Sequence, residues 1–358
     1  MTDMPMLLGY TPEELQSYLK TLSQPAYRAR QLFGWLHAGV PFEDMSNLPK
    51  ALREQLTNEA VDFPLAIEES FQSQRDDTVK FLFRCLDDHI IEGVLMHYHY
   101  GYSLCISTQI GCKMGCKFCA STLNGCVRNL TAGEMLCQVI LANRFLGDKG
   151  KIGHVVLMGS GEPLENYDEV LRFLRLVNHP EGLNISMRSL SLSTCGLIPQ
   201  IDQLAAEGLG VTLSISLHAP NDGIRRQILP IAQRYPIKDL MDAVRRYVKT
   251  TGRRVLIEYA MIDQLNAKPE HALELAGLLH NLQCHVNLIA LNPVKESPLK
   301  PASADAVNAF IRTLEETHIS VTSRREMGRD ISGACGQLRN HYLKEHSKTA
   351  IMETTGNP

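Results

Sequence analysis

Cys112-Lys113-Met114-Gly115-Cys116-Lys117-Phe118-Cys119 places three thiols in one short, glycine-containing loop just past a strand-like run. Thiolates at this spacing suit a soft metal or an iron–sulfur cluster. A structural zinc site or an ordinary electron-transfer cluster wants four ligands, so three leave one metal position for something else. Free cysteines also serve as small core hydrophobes, but Lys113 and Lys117 make this segment too polar for a core strand. Cys112, Cys116 and Cys119 are therefore read as metal ligands.

Working outward, a chain of 358 residues can bury a sizeable core, and one large domain with a small appendage is the simplest partition. Its 44% apolar and 21% charged content is that of an ordinary soluble globular protein. The formal net charge of −3 does not announce a nucleic-acid binder. A local basic channel would suffice, because only charge near the phosphates counts. Ten cysteines over this length are too sparse for a secreted disulfide scaffold. No apolar run is long enough for a bilayer, and no basic-then-hydrophobic leader opens the chain. A cytoplasmic protein with no membrane partner is expected.

The first seventy residues read as a helical module. Thr11 caps a helix with Pro12 in its first turn and Glu14 at the third position, and Leu15, Tyr18, Leu19 and Leu22 form its stripe. A second helix runs from Tyr27 to Leu36, and a third opens near Asn47. Thr78–Phe83 and Ile90–Met96 read as a hairpin, and Ser103–Ser107 as the strand that delivers the chain to the cysteine loop. Within this region Glu92 fits an outward polar position of a strand, and Cys105 fits a core thiol.

Downstream, strand and helix alternate. Strands are expected at His154–Met158, Leu190–Ser193, Val211–Leu217, Val255–Met261, Val286–Ala290 and Ile319–Thr322. Helices are expected at Ala132–Phe145 (with a Thr131/Glu134 capping box), Asn166–Leu176, Ile201–Glu207, Ile237–Thr250, Pro269–Leu282 and Ala302–Thr317. Six β/α units fit an α/β fold built as a partial, TIM-like (β/α)6 barrel, and a doubly wound sheet is the alternative. The expected divisions are residues 1–70 (helical accessory domain), 71–104 (β-hairpin extension), 105–345 (barrel with a C-terminal cysteine loop) and 346–358 (tail).

Several strands end in groups that can hold a ligand. Gly159-Ser160-Gly161-Glu162-Pro163 offers close backbone approach and one carboxylate, although a plain turn would look the same in isolation. Ser193-Thr194, Ser216-Leu217-His218 and Asn292-Pro293 end three more strands. Near the end, Gly333-Ala334-Cys335-Gly336 sets a cysteine outside any apolar run, suited to a reactive thiol or to another metal ligand.

The CxxxCxxC loop with an aromatic before its last cysteine resembles the cluster loop of radical S-adenosylmethionine (SAM) enzymes. The Gly159–Pro163 loop resembles the segment that holds the amino end of SAM in those enzymes, with Glu162 suited to the ammonium. The stretch Ala334-Cys335-Gly336-Gln337-Leu338, Tyr27–Phe33, Leu104–Cys112, Arg128–Thr131, Ser191–Thr194, Ser214–Pro220 and Val286–Pro293 extend the likeness over most of the chain. Together they resemble the RlmN/Cfr group of bacterial RNA adenine methyltransferases.

That resemblance implies a [4Fe–4S] cluster on Cys112, Cys116 and Cys119, and two SAM molecules per turnover, one giving a methyl to Cys335 and one giving a radical. It implies SAM contacts from Gly161, Glu162, Ser193, Ser216, Leu217, His218 and Asn292. Glu92 falls where the group has its base, and Cys105 where its second catalytic cysteine lies, closing a transient disulfide with Cys335. The implied substrates are an adenine of 23S rRNA in the peptidyl-transferase centre and the adenine beside the anticodon of tRNA. A flavodoxin-type donor and a monomer are implied as well. Pro163 after Glu162 resembles the enzymes that act at adenine C2, with C8 methylation of the Cfr type and a non-catalytic iron–sulfur RNA binder as alternatives. Arg28, Arg30, Arg128, Arg225, Arg226, Arg324, Arg325 and Arg329 are candidates for the RNA backbone, or for surface ion pairs.

Overall fold

The computed structural model describes residues 4–292, 294, 296–325 and 327–331. Three helices come first, α1 (Pro12–Thr21), α2 (Arg28–His37) and α3 (Lys50–Glu59). The expected capping box is present: Glu14 N–H donates to Thr11 Oγ1 (3.3 Å) and Thr11 N–H donates to Glu14 Oε2 (2.7 Å). The apolar stripes of these helices, Leu15, Leu19, Leu32, Phe33, Leu36, Leu52 and Leu56, join the same buried cluster as the strands below.

Four antiparallel strands follow, β1 (Leu65–Gln72), β2 (Val79–Cys85), β3 (Ile90–Tyr98) and β4 (Gly101–Cys105). β1 was not anticipated and runs across the boundary expected at residue 70. Two very short strands, β5 (Gln109–Gly111) and β6 (Cys126–Asn129), pair with each other and close the stem of the cysteine loop.

The rest alternates: α4 (Ala132–Leu146), β7 (Ile152–Leu157), α5 (Tyr167–Val177), β8 (Leu190–Thr194), α6 (Ile198–Ala206), β9 (Thr212–Ser216), α7 (Asp222–Ile228), α8 (Ile237–Thr251), β10 (Val255–Met261), α9 (Pro269–Leu279), β11 (Cys284–Ala290), α10 (Ala304–Glu316) and β12 (Val321–Ser323). One sheet holds β1-β2-β3-β4-β7-β8-β9-β10-β11-β12 in that order. From β4 to β12 every neighbouring pair is parallel.

Parallel strands in chain order are what a barrel requires; a doubly wound sheet reverses its order partway. The expected partial (β/α)6 barrel is observed. One face of the parallel strands is apolar, with Val155, Leu192, Leu213, Ile215, Val255 and Ile257 buried, while the alternating positions Ser193, Ser216 and Glu258 line the cavity. Among the described residues no helix is long and apolar enough to cross a membrane.

α4 starts on its own box. Glu134 N–H donates to Thr131 Oγ1 (3.2 Å), Thr131 N–H donates to Glu134 Oε2 (2.8 Å), and Arg128 donates to the same carboxylate (2.7 Å). Replacing Thr131 with Ala removes one cap and should cost about 1 kcal/mol. Urea titration should show a lower midpoint with an unchanged slope, and the matched change Thr21→Ala, at the exposed end of α1, should cost much less.

Candidate active site

The cysteine loop is built from its stem outward. Gly111 sits opposite Cys126 with φ +78°, and a Cβ there would lie 2.1 Å from Gly125 O, so only glycine fits. Cys112 N–H donates to Gly125 O (2.9 Å), Cys119 N–H to Cys116 O (3.1 Å), and Thr122 Oγ1 to Cys119 O (2.9 Å). Lys117 N–H reaches Ile228 O (2.9 Å), docking the loop on the last residue of α7.

Cys112, Cys116 and Cys119 line one cavity of about 510 Å³. Burial pushes the Cys112 thiol up to about 12 and Cys116 higher still, and a bound metal would favour the thiolate of each. Among the described residues no three Cys, His, Asp or Glu side chains converge as closely as a single ion demands. Three cysteines lining one cavity suit a polynuclear cluster, in which each holds a different iron. The donor set therefore fits an iron–sulfur cluster better than a zinc ion.

The glycine loop after β7 packs against the entry to the cysteine loop. Gly159 N–H donates to Ile106 O (3.0 Å), and Thr108 and Gln109 N–H both reach Ser160 O (2.9 and 3.1 Å). Gly161 has φ +116°, with Thr108 Oγ1 2.6 Å from where a Cβ would stand. Ser160 Oγ donates to Ser121 Oγ (3.1 Å), which links the two loops. Glu162 is buried and lines the cavity, yet its oxygens are engaged: Oε1 accepts from Leu164 N–H (3.1 Å) and Oε2 from Cys195 N–H (2.8 Å). Burial raises its pKa.

Ser193, Ser216, His218 and Asn292 line the same cavity. Ser193 Oγ and Ser216 Oγ stand 3.3 Å apart. His218 has φ +55°, and its Nδ1 accepts from Ala260 N–H (3.0 Å), which leaves the proton on Nε2. Burial, helped by the Arg225 charge, takes its pKa down to about 3, so the ring is a neutral donor. The Phe118 ring meets it edge-on at 4.9 Å. Leu217 departs from expectation: its side chain is wholly buried behind the wall, and its backbone O accepts from Arg225 Nε (3.3 Å).

Glu92 and Cys105 come from β3 and β4 and face this cavity too. Ser107 Oγ donates to Glu92 O (2.8 Å), and Lys80, fully buried on β2, places Nζ 3.8 Å from Glu92 Oε2. Cys335 lies outside the described residues. The chain that leads toward it borders the cavity through Arg324, Arg325 and Met327. That segment is fastened to the β1–β2 turn: Ser73 Oγ and Gln74 N–H donate to Asp330 (both 2.7 Å), and Gly328 N–H to Asp76 (3.0 Å).

Sequence reasoning missed Lys80 and Glu258. Glu258 is 2% exposed, lines the cavity, and has one oxygen on Asn287 Nδ2 (3.1 Å) and the other without a partner. Their signal was a charge inside an otherwise apolar strand run. Two arginines expected at an RNA backbone are placed elsewhere. Arg128 pairs with Asp87 and Glu134 (2.7 Å each), holding the Asp87 carboxyl down at about 2. Arg225 is 0% exposed and donates to Cys195 O (2.7 Å), Tyr235 O (3.2 Å) and Leu217 O. Arg28 bonds Asn47 O (2.6 Å), and Arg30 lies 3.6 Å from Glu181.

A barrel whose first parallel strand feeds three cysteines into a ligand cavity beside a glycine loop defines a radical SAM enzyme. The family model for the Radical SAM superfamily matches residues 106–276, and that for the ribosomal RNA large subunit methyltransferase N-terminal domain matches residues 6–61. A "probable dual-specificity RNA methyltransferase RlmN" of Alkaliphilus metalliredigens is 49% identical over 97% of this chain and 98% of its own length. One of the same name from Clostridium tetani is 46% identical over 97% and 99%. A crystal structure of a radical SAM methyltransferase from Sphaerobacter thermophilus superposes with a TM-score of 0.91 at 43% identity, covering 93% of this chain and 98% of that one. The chain belongs to the RlmN family and is a radical SAM methyltransferase that uses a [4Fe–4S] cluster and SAM.

Replacing Arg225 with Met strips the donors from two buried carbonyls and one part-buried carbonyl and should cost about 2–3 kcal/mol, at roughly 1 kcal/mol each. Arg226→Met, on an exposed neighbour, should change stability little. Chemical denaturation of the two variants side by side measures the difference.

Proposed function

We propose that this chain methylates C2 of an adenine in 23S rRNA and of the adenine beside the anticodon in tRNA. The observation that carries this reading is the meeting of Glu92 and Cys105 with Cys112, Cys116 and Cys119 around one cavity. An ordinary cluster protein has no use for a buried carboxylate and a spare thiol facing its cluster. Adenine C2 is electron-poor, so polar attack on a methyl donor has no good starting point, whereas radical addition does.

Cys112, Cys116 and Cys119 would hold the cluster, which would supply the electron for reductive cleavage of one SAM to a carbon radical. Two SAM molecules serve each turnover, the other being the methyl donor to Cys335. Gly161, Glu162, Ser193, Ser216, His218, Asn292 and the backbone at Leu217 hold SAM: hydroxyls and the His218 Nε2–H suit its polar edges. Glu162, already accepting two backbone N–H bonds, has lone pairs left for the ammonium. The methyl group on Cys335 gives one hydrogen atom to the radical drawn from SAM, and the carbon bonds to the base as a methylene still attached to the Cys335 sulfur. Glu92 then removes the ring proton at the carbon being methylated, its carboxylate held beside the Lys80 ammonium. Cys105 attacks the Cys335 sulfur, breaking its bond to the methylene carbon, which takes up a proton to become the methyl group, and leaving a disulfide. A flavodoxin-type protein returns the electrons, and the chain acts as a monomer. The helices of residues 1–70 serve as an RNA-binding accessory.

Mass spectrometry of digested RNA against 2-methyladenosine and 8-methyladenosine standards tests the assignment, and 2-methyladenosine is the expected product. The 8-methyl isomer would move the chain to the other chemistry, and no methylated adenine at all would overturn the reading. Cys335→Ala should abolish methyl transfer, and Cys105→Ala should accumulate a covalent protein–RNA adduct, visible as a shifted band on a denaturing gel. Continued methylation by the Cys335→Ala protein would remove the methyl-carrier role.

A further inference from the structure

The tip of the β3–β4 hairpin reads His97-Tyr98-His99-Tyr100-Gly101-Tyr102, five ringed side chains in six residues. Tyr98 pairs with Gly101 and His97 with Tyr102, so His99 and Tyr100 form a two-residue turn. Strand alternation puts Glu92, Val94, Met96 and Tyr98 on one face of β3, and all four line the active-site cavity. Tyr98 stacks on Tyr100 with centroids 5.0 Å apart and planes 9° from parallel. Tyr100 in turn meets His154 edge-on at 4.8 Å and is 52% exposed. His97 stacks on Tyr102 at 4.5 Å.

An aromatic stack thus runs from the inside of the cavity to open solvent. A half-exposed tyrosine at a hairpin tip adds little to a core. Flat rings leading out of a cavity that also carries Arg324 and Arg325 suit a particular ligand. A target base must leave its own stack to enter a barrel, and its neighbours then lose a stacking partner. Tyrosine faces supply that partner to any base, and arginines favour the adjoining phosphates.

We propose that the Tyr98–Tyr100 stack is a platform for the unpaired bases flanking the target adenine in the RNA substrate. The inference rests on the RNA reading above and adds where the flanking nucleotides lie. It is tested by fluorescence anisotropy with the full, cluster-loaded protein and a labelled stem-loop RNA carrying the target adenine in its loop. Tyr100→Ala should bind about ten-fold more weakly, as the loss of one base–aromatic stack predicts, and Tyr100→Phe should bind as the parent does. With abasic sites flanking the adenine, parent and Tyr100→Ala proteins should bind alike. Iron content and cluster absorbance matching the parent show that each variant is folded. Equal affinity of Tyr100→Ala and parent for the intact loop overturns the platform, and so does a ten-fold gap that persists with abasic flanks. If the parent protein itself ignores the RNA, the substrate reading falls and the platform falls with it.

Discussion

The backbone of Cys195 is gripped on both sides of its Cα by buried ionisable side chains, and the site depends on that grip. Its N–H donates to the Glu162 carboxylate (2.8 Å) and its C=O accepts from the Arg225 guanidinium (2.7 Å). Glu162 belongs to the glycine loop after β7, and Arg225 to α7 after β9. The last residue of α7 holds the backbone of Lys117, between two of the cysteines. Four loops from four different strands are therefore fixed to one another through the backbone of one residue, whose N–H and C=O lie in successive peptide units. Backbone dipoles satisfy both charged groups: Glu162 accepts from the N–H of Leu164 and Cys195, and Arg225 donates to the carbonyls of Cys195, Leu217 and Tyr235. Burial is costly for each alone, but a charge that collects several backbone hydrogen bonds recovers much of it. What results is loops that do not drift apart when a ligand enters.

Much of this architecture was legible in the sequence, because its signals were local. Thr11/Glu14 and Thr131/Glu134 announced two helix starts through side chains within one turn of their partners. The strand–helix alternation gave the barrel, and the cysteine spacing and Gly159–Pro163 gave two loops that do meet at one cavity. The failures were of two kinds. Short elements have no period to read: β5 has three residues, β6 four and α7 seven. β1 carries Glu68, Glu69 and Ser70 together and bulges between Ile67 and Glu69, which breaks the alternation a strand would show. The second kind concerns charge. Arg128 and Arg225 read as surface cations because their partners, Asp87 and the carbonyls of Cys195 and Tyr235, are brought in by the fold from elsewhere in the chain. Lys80 and Glu258 were hidden by the same long-range pairing.

The cavity also shows a division of labour between its walls. Cys112, Cys116, Cys119, Gly161, Glu162, Ser193, Ser216 and His218 stand at or beyond the C-terminal ends of β4, β7, β8 and β9, the part shared by barrels of this class. Glu92, Lys80 and the aromatic hairpin come instead from the antiparallel strands added to one edge of the barrel. Cys105 is the junction, the last residue of β4, which pairs antiparallel with β3 on one side and parallel with β7 on the other. Groups contributed by the extension, Glu92 among them, line the same cavity as the cysteine loop. The constraint is geometric. β3 can present Glu92 to the cavity because an antiparallel partner of the first barrel strand continues the same wall, with Val94 set against Cys105 in register. A slip of one residue in that pairing would turn Glu92, Val94, Met96 and Tyr98 to the outside together. The Ser107 hydroxyl, bonded to Glu92 O (2.8 Å) while accepting from Ser160 N–H (3.0 Å), fixes that register against the glycine loop. The same hydroxyl thereby ties the antiparallel wall that carries Glu92 to the glycine loop after β7, so a shift of one is passed to the other.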